Sequence, residues 1–96
     1  YPPFCRIIDI YVRHRAEGMA ERAAQDFARA LQTENPAGVI VLGPDSPAHA
    51  RVAVLCIRKI MLKVQPQCHA AALRSLLLRL QQAETRAQIY FDVDPV

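Results

Sequence analysis

Ninety-six residues suffice for one domain with a two-layer core, and not for the two lobes that most nucleotide-driven machines need. Hydrophobic residues make up 52% of the chain, yet no apolar run approaches the roughly 18 residues of a membrane span and no signal-peptide pattern opens it, so a soluble domain is expected. The net charge of +3 is modest, but ten of the twelve basic residues are arginines, whose forked guanidinium suits phosphates and carboxylates alike without requiring either.

The opening Tyr1-Pro2-Pro3-Phe4 reads as a linker entering a strand. A single domain over residues 1–96, cut from a longer protein and with residues 1–3 as its linker, is therefore expected. From Phe4 to Arg15 the residues alternate: Ile8, Ile10 and Val12 fall on one face, and Cys5, Ile7, Asp9, Tyr11 and Arg13 on the other. This is the pattern of a strand with one buried side. The period then changes. Ala20, Ala23, Ala24, Phe27, Ala30 and Leu31 follow the repeat of an amphipathic helix, which Asn35-Pro36-Ala37-Gly38 breaks.

"GVIVLGP" predicts a short strand ended by Gly43-Pro44, and "DSPAHAR" a polar loop. Ala53 to Val64 returns as a third strand, with Ile60, Leu62 and Val64 on one face and Lys59, Met61 and Lys63 on the other. After the break at Gln65-Pro66-Gln67, Leu73, Leu76, Leu77 and Leu80 give a second helical stripe. Ile89, Phe91 and Val93 mark a final strand whose alternation points Phe91 and Val93 inward and Asp92 and Asp94 outward, with Pro95 stopping further pairing. The order β-α-β-β-α-β predicts a ferredoxin-like α/β (α+β) sandwich, with two helices on one face of a four-stranded sheet and the first and third strands central. The other sheet face is expected to be open or docked on a neighbouring domain.

On that face Asp9, Tyr11 and Arg13 should lie beside Lys59, Met61 and Lys63, with Tyr90 and Asp92 at an edge. Aromatic rings among positive charges are the means of stacking bases and holding phosphates, although ordinary solvated or interdomain faces combine the same residue types. An RNA-recognition module shares the element order, but its third-strand signature of a basic residue, glycine and interleaved aromatics is absent from "VAVLCIRKIMLKV".

Other chemistries find little support. Cys5, Cys56 and Cys68 are odd in number, widely spaced and set among apolar residues, which fits a reducing cytoplasm better than a disulfide framework or a zinc knuckle. His14, His49 and His69 lack ligand spacing, and the adjacency of Cys68 and His69 does not make a catalytic pair. The three glycines are far apart and none opens a phosphate loop. Asp92 and Asp94 share a strand face, but a divalent cation needs more oxygen ligands than they supply. With no convergent acid/base set, the chain reads as non-catalytic, without a cofactor of its own.

"YPPF" opening the first strand, "VLGP" ending the second, Lys63 after an apolar third strand and "DVDP" closing the fourth together resemble the C-terminal domain of the primosomal replication-restart helicases, the PriA (primosomal protein N′) family. The resemblance spans Tyr1 to Pro95. It implies a bacterial, ATP-dependent 3′-to-5′ DNA helicase that recognises stalled forks and restarts replication, with its ATP, magnesium and zinc sites upstream of this domain. It also implies that the domain helps bind branched or single-stranded DNA, borders the surface used by single-stranded DNA-binding protein, and works with other primosome proteins in the cytoplasm, associated with the nucleoid. One departure stands out. Where such proteins commonly carry a run of the type Arg-Tyr-Arg-Tyr-Gln, this chain has Leu55-Cys56-Ile57-Arg58-Lys59, which keeps only the basic character of Arg58 and Lys59.

The residues expected to meet DNA are Arg51, Arg58, Lys59 and Lys63 on phosphates, assisted by Arg13, with Tyr11 or Tyr90 offering a stacking surface. The competing expectation is a domain that braces the helicase core or receives the acidic tail of single-stranded DNA-binding protein through arginine and an apolar groove.

Overall fold

The computed structural model describes residues 6–34, 36–46, 51–52 and 55–94. The expected linker, residues 1–3, and Cys5, His49 and Pro95 lie outside the described residues. Strand β1 (Arg6–His14) leads to helix α1 (Glu17–Glu34), followed by β2 (Val39–Asp45), the two-residue β3 (Arg51–Val52), β4 (Leu55–Val64), helix α2 (Ala70–Ala83) and β5 (Gln88–Val93). The main sheet is antiparallel in the order β2-β4-β1-β5, and β3 pairs only with the start of β4. This is the ferredoxin-like arrangement, with the first and third long strands in the centre.

Period-two patterning places Ile10 and Val12 of β1, Ile60, Leu62 and Val64 of β4, and Ile89 of β5 on the face beneath the helices. Helix α1 meets them with Ala23, Ala24, Phe27, Ala28 and Leu31, and α2 with Leu73, Leu76 and Leu77. The alanines let α1 lie close over the sheet, while Ile10, Leu31, Ile60 and Leu62 are fully buried. Each such large aliphatic side chain contributes about 1.5–3 kcal/mol through removal from water. Phe27 and Phe91 meet as tilted rings with centroids 6.5 Å apart, joining α1 to β5.

Local chemistry fixes the ends of the elements. His14 Nδ1 accepts from the Ala16 N–H at 2.8 Å where β1 turns into α1, and His69 caps α2 by accepting from the Ala72 N–H at 3.1 Å. Both imidazoles thus serve the backbone. At the close of the fold, Asp94 adopts φ 51°, its N–H donates to the Ile7 carbonyl at 2.6 Å, and its carboxylate accepts from Arg6 Nη2 at 2.7 Å. The terminal segment is thereby clamped to the first residues of β1.

Three expectations change in detail. The second strand continues past Gly43-Pro44 to Asp45, through a cis Gly43–Pro44 peptide and a register shift between Leu42 and Asp45, because Gly43 at φ 97° lets the strand bulge and resume pairing. The loop over "DSPAHAR" ends in β3, so Arg51 pairs with Cys56. Val93 is 54% exposed, because it lies at a groove beside α2 where no helix covers it.

Candidate nucleic-acid interface

The sheet face away from the helices is built in rows by the pairing register. One row holds Ile40, Lys63 and Ile7; the next holds Leu42, Met61, Asp9 and Asp92; the third holds Lys59, Tyr11 and Tyr90; the last holds Ile57, Arg13 and Gln88. Lys59 and Lys63 are four residues apart on β4, hence about 14 Å apart along the strand. The face is less open than its polarity suggests, since Ile7, Asp9 and Ile57 are buried while Tyr11, Arg13, Lys59 and Met61 are half-buried.

Tyr11 and Tyr90, cross-strand neighbours, stack with centroids 5.1 Å apart and planes 18° from parallel. The Arg13 guanidinium carbon lies 4.8 Å from the Tyr90 ring centroid, and Arg13 Nη2 donates to Gln88 Oε1 at 2.8 Å. Burial, and after it the carboxylates of Asp9 and Asp92, pushes the Tyr11 hydroxyl above its usual range. Asp9, only 4% exposed, keeps Lys59 Nζ at 3.9 Å from one carboxylate oxygen, while its other oxygen has no hydrogen-bond partner among the described residues.

The predicted basic residues do not all come together. Arg13, Lys59 and Lys63 share this face. Arg58 does not: it points to the helix side of β4, is 8% exposed, and donates to Glu21 at 2.6 Å and Glu17 at 3.0 Å. Those two carboxylates, Glu21 first, raise its already high pKa despite burial. Arg51 occupies β3 at the end of the sheet where β1 finishes, and its side chain lies outside the described residues. Sequence reasoning passed over Arg15, exposed just beyond Arg13 in the β1–α1 turn; its position one residue past the end of an arginine-bearing strand is the signal that could have found it.

A second feature lies around the edge of α2. An apolar groove of about 840 Å³ runs between that helix and the sheet, floored by Ile8, Leu73, Leu77 and Phe91 and bordered by Arg6 and Arg74. Arg6 is already paired with Asp94, whereas Arg74 has no ion-pair partner among the described residues. Also among the described residues, no three His, Cys, Asp or Glu side chains form a group able to hold a metal ion, and no helix is long and apolar enough to cross a membrane.

The sequence profile of the primosomal protein N C-terminal domain matches residues 1–96, the whole chain. The chain belongs to this family. A curated relative, the probable replication restart protein PriA of Deinococcus radiodurans, is 34% identical over 95 residues, which cover 99% of this chain and 10% of that protein. The chain thus spans about a tenth of the length of the relative it matches. Among solved structures, the de novo designed protein Foldit4 superposes with a TM-score of 0.64 over 96% of this chain and 98% of its own, at 9% identity, a likeness of fold alone. Within the primosomal protein N C-terminal domain family, the surfaces this chain presents are the mixed sheet face and the groove beside α2.

Proposed function

We propose that this chain is a non-catalytic DNA-binding and docking domain of a bacterial ATP-dependent 3′-5′ DNA helicase that recognises stalled replication forks and restarts replication through primosome assembly. Family membership and the replication restart name of the Deinococcus relative support the setting. The observation that carries the reading is the placement of Arg13, Lys59 and Lys63 on one helix-free sheet face beside the Tyr11–Tyr90 pair. Cations so arranged hold a strand by its phosphates and position it without reading its sequence. The partner in this reading is branched or single-stranded DNA, and the location is cytoplasmic and nucleoid-associated. In this reading ATP, magnesium and zinc belong to the remainder of such a protein.

Salt-dependent binding of the chain to a fork substrate tests the proposal. Lys59→Ala combined with Lys63→Ala removes two phosphate contacts, so affinity should fall and the slope of log affinity against log salt should flatten by roughly 1.4 to 1.8, according to strand state. An unchanged affinity and slope would remove both lysines from the site.

The groove between α2 and the sheet supports a second reading, a protein-docking domain that receives the acidic tail of single-stranded DNA-binding protein. Its apolar floor and Arg74 suit a short peptide with bulky and acidic residues. Binding of such a peptide, lost on Arg74→Glu, in a chain with no measurable affinity for DNA would favour it.

A further inference from the structure

We infer that the tyrosine pair on the open sheet face serves an arginine and not a base: Tyr90 and Gln88 hold Arg13 as a preformed phosphate fork, so that nucleic acid is gripped by its backbone alone. The inference rests on the DNA-binding reading of this face and reverses the roles expected within it.

Charge balance and anchoring together single out Arg13. Among the described residues Arg6, Arg29, Arg58, Arg79, Arg86 and Lys59 each have a carboxylate within ion-pair distance. Arg13, Arg15, Arg22, Lys63 and Arg74 have none among the described residues, and of these five Arg13 is the one whose side chain is anchored. Its Nη2 is fixed by Gln88 at 2.8 Å, its guanidinium carbon lies 4.8 Å from the Tyr90 centroid, and its Nε is buried without a hydrogen-bond partner among the described residues. A half-buried cation that is oriented and lacks a counter-ion is an anion receptor in waiting, because little side-chain freedom remains to be lost on binding. Planar donors in a fork match phosphate oxygens, which a lysine at the same place would meet only as a point charge.

The aromatic geometry points the same way. Tyr90 already has two stacking partners within the protein, the Tyr11 ring and the Arg13 guanidinium, and Tyr11 is itself half-buried. The rings brace each other and the arginine. Lys59 stands in the adjacent row, about 7 Å along the strands from Arg13, and exposed Arg15 follows in the turn, so further cations flank the fork.

The test compares two probes of equal length, an oligothymidine and an abasic oligonucleotide with the same phosphates. One stacked base contributes roughly 5- to 150-fold in affinity. If the inference holds, the unaltered chain binds the two within less than about fivefold. In addition, Arg13→Lys and Tyr90→Leu weaken both probes by the same factor, and Tyr90→Phe, which keeps the ring, leaves both unchanged. Should the abasic probe bind more than about fivefold worse, bases stack on this face, and the inference falls while the DNA-binding reading stands. Should neither probe bind, both fall together. Binding of an acidic peptide that depends on Arg13, without binding of either probe, would reassign the fork to a carboxylate partner.

Discussion

Arg58 Nε donates to a carboxylate oxygen of Glu21 at 2.6 Å, tying this arginine of β4 to α1 on the far side of the sheet from its neighbour Lys59. The pair fastens helix to sheet at a place where the apolar core gives way to a polar rim. Replacing Arg58 by alanine should therefore lower stability by about 1–2 kcal/mol, a figure moderated by the solvent exposure of both glutamates. Urea denaturation measures the loss. The salt slope of DNA binding by the folded variant should stay at the wild-type value, since no phosphate contact is removed.

Gly43 and Gly18 should respond oppositely to alanine. At Gly43 the backbone sits at φ 97°, and an added Cβ would lie 3.0 Å from the Lys59 carbonyl oxygen, so Gly43→Ala should destabilise by about 1–3 kcal/mol. At Gly18, in the first turn of α1, a Cβ meets nothing within 4 Å, so Gly18→Ala should stabilise by up to about 1 kcal/mol. Thermal unfolding of the two variants should show shifts of opposite sign.

The Asp94 clamp carries a pH signature. Hydrogen bonding from Arg6, against desolvation and aided by the Ile7 N–H and the Arg6 charge, holds the Asp94 carboxyl below its ordinary range. A depressed folded-state pKa means that its stabilisation is present above the ordinary carboxylate value and is lost as pH falls through the depressed one. Asp94→Asn should thus melt below the wild type at neutral pH, and the two curves should converge under acid. A gap that persists at low pH would assign the effect to packing and not to charge.

Leu31 is fully buried where α1 meets the sheet, among Ile10, Ile60 and Leu62. Leu31→Ala should cost about 2–5 kcal/mol by lost transfer and an unfilled cavity, a large part of the stability of so small a domain. Chemical denaturation should show a lower midpoint, with the slope retained if the unfolded state is unaffected.

Much of this architecture is legible in the chain because two simple periods carry it. The alternation of Ile8, Ile10 and Val12 and of Ile60, Leu62 and Val64 identifies the central strands, and the alanine and leucine stripes identify both helices. Arg58 belongs by the same alternation with Ile60 and Leu62 on the helix side, so its inward position was readable from parity. Its basic character argued for DNA, but the decisive partners, Glu17 and Glu21, lie more than thirty-five residues away in sequence. The bulge after Leu42 and the pairing of β3 depend on close backbone approaches that residue types do not encode singly. Arg13 was visible as a basic residue on the right face, while its hold by Gln88 and Tyr90 arises only when β5 is set beside β1.

The bulge at Gly43–Pro44 has a consequence for self-association. Strand β2 lies at the margin of the sheet and exposes Ile40 and Leu42, a template on which a foreign strand could extend the ladder. Pro44 offers no N–H and the register shift bends the strand away, so an incoming chain finds regular pairing only along Val39 to Leu42. Four residues are too few to seed a growing fibre readily, and the irregularity that interrupts the strand thereby protects the apolar margin that precedes it.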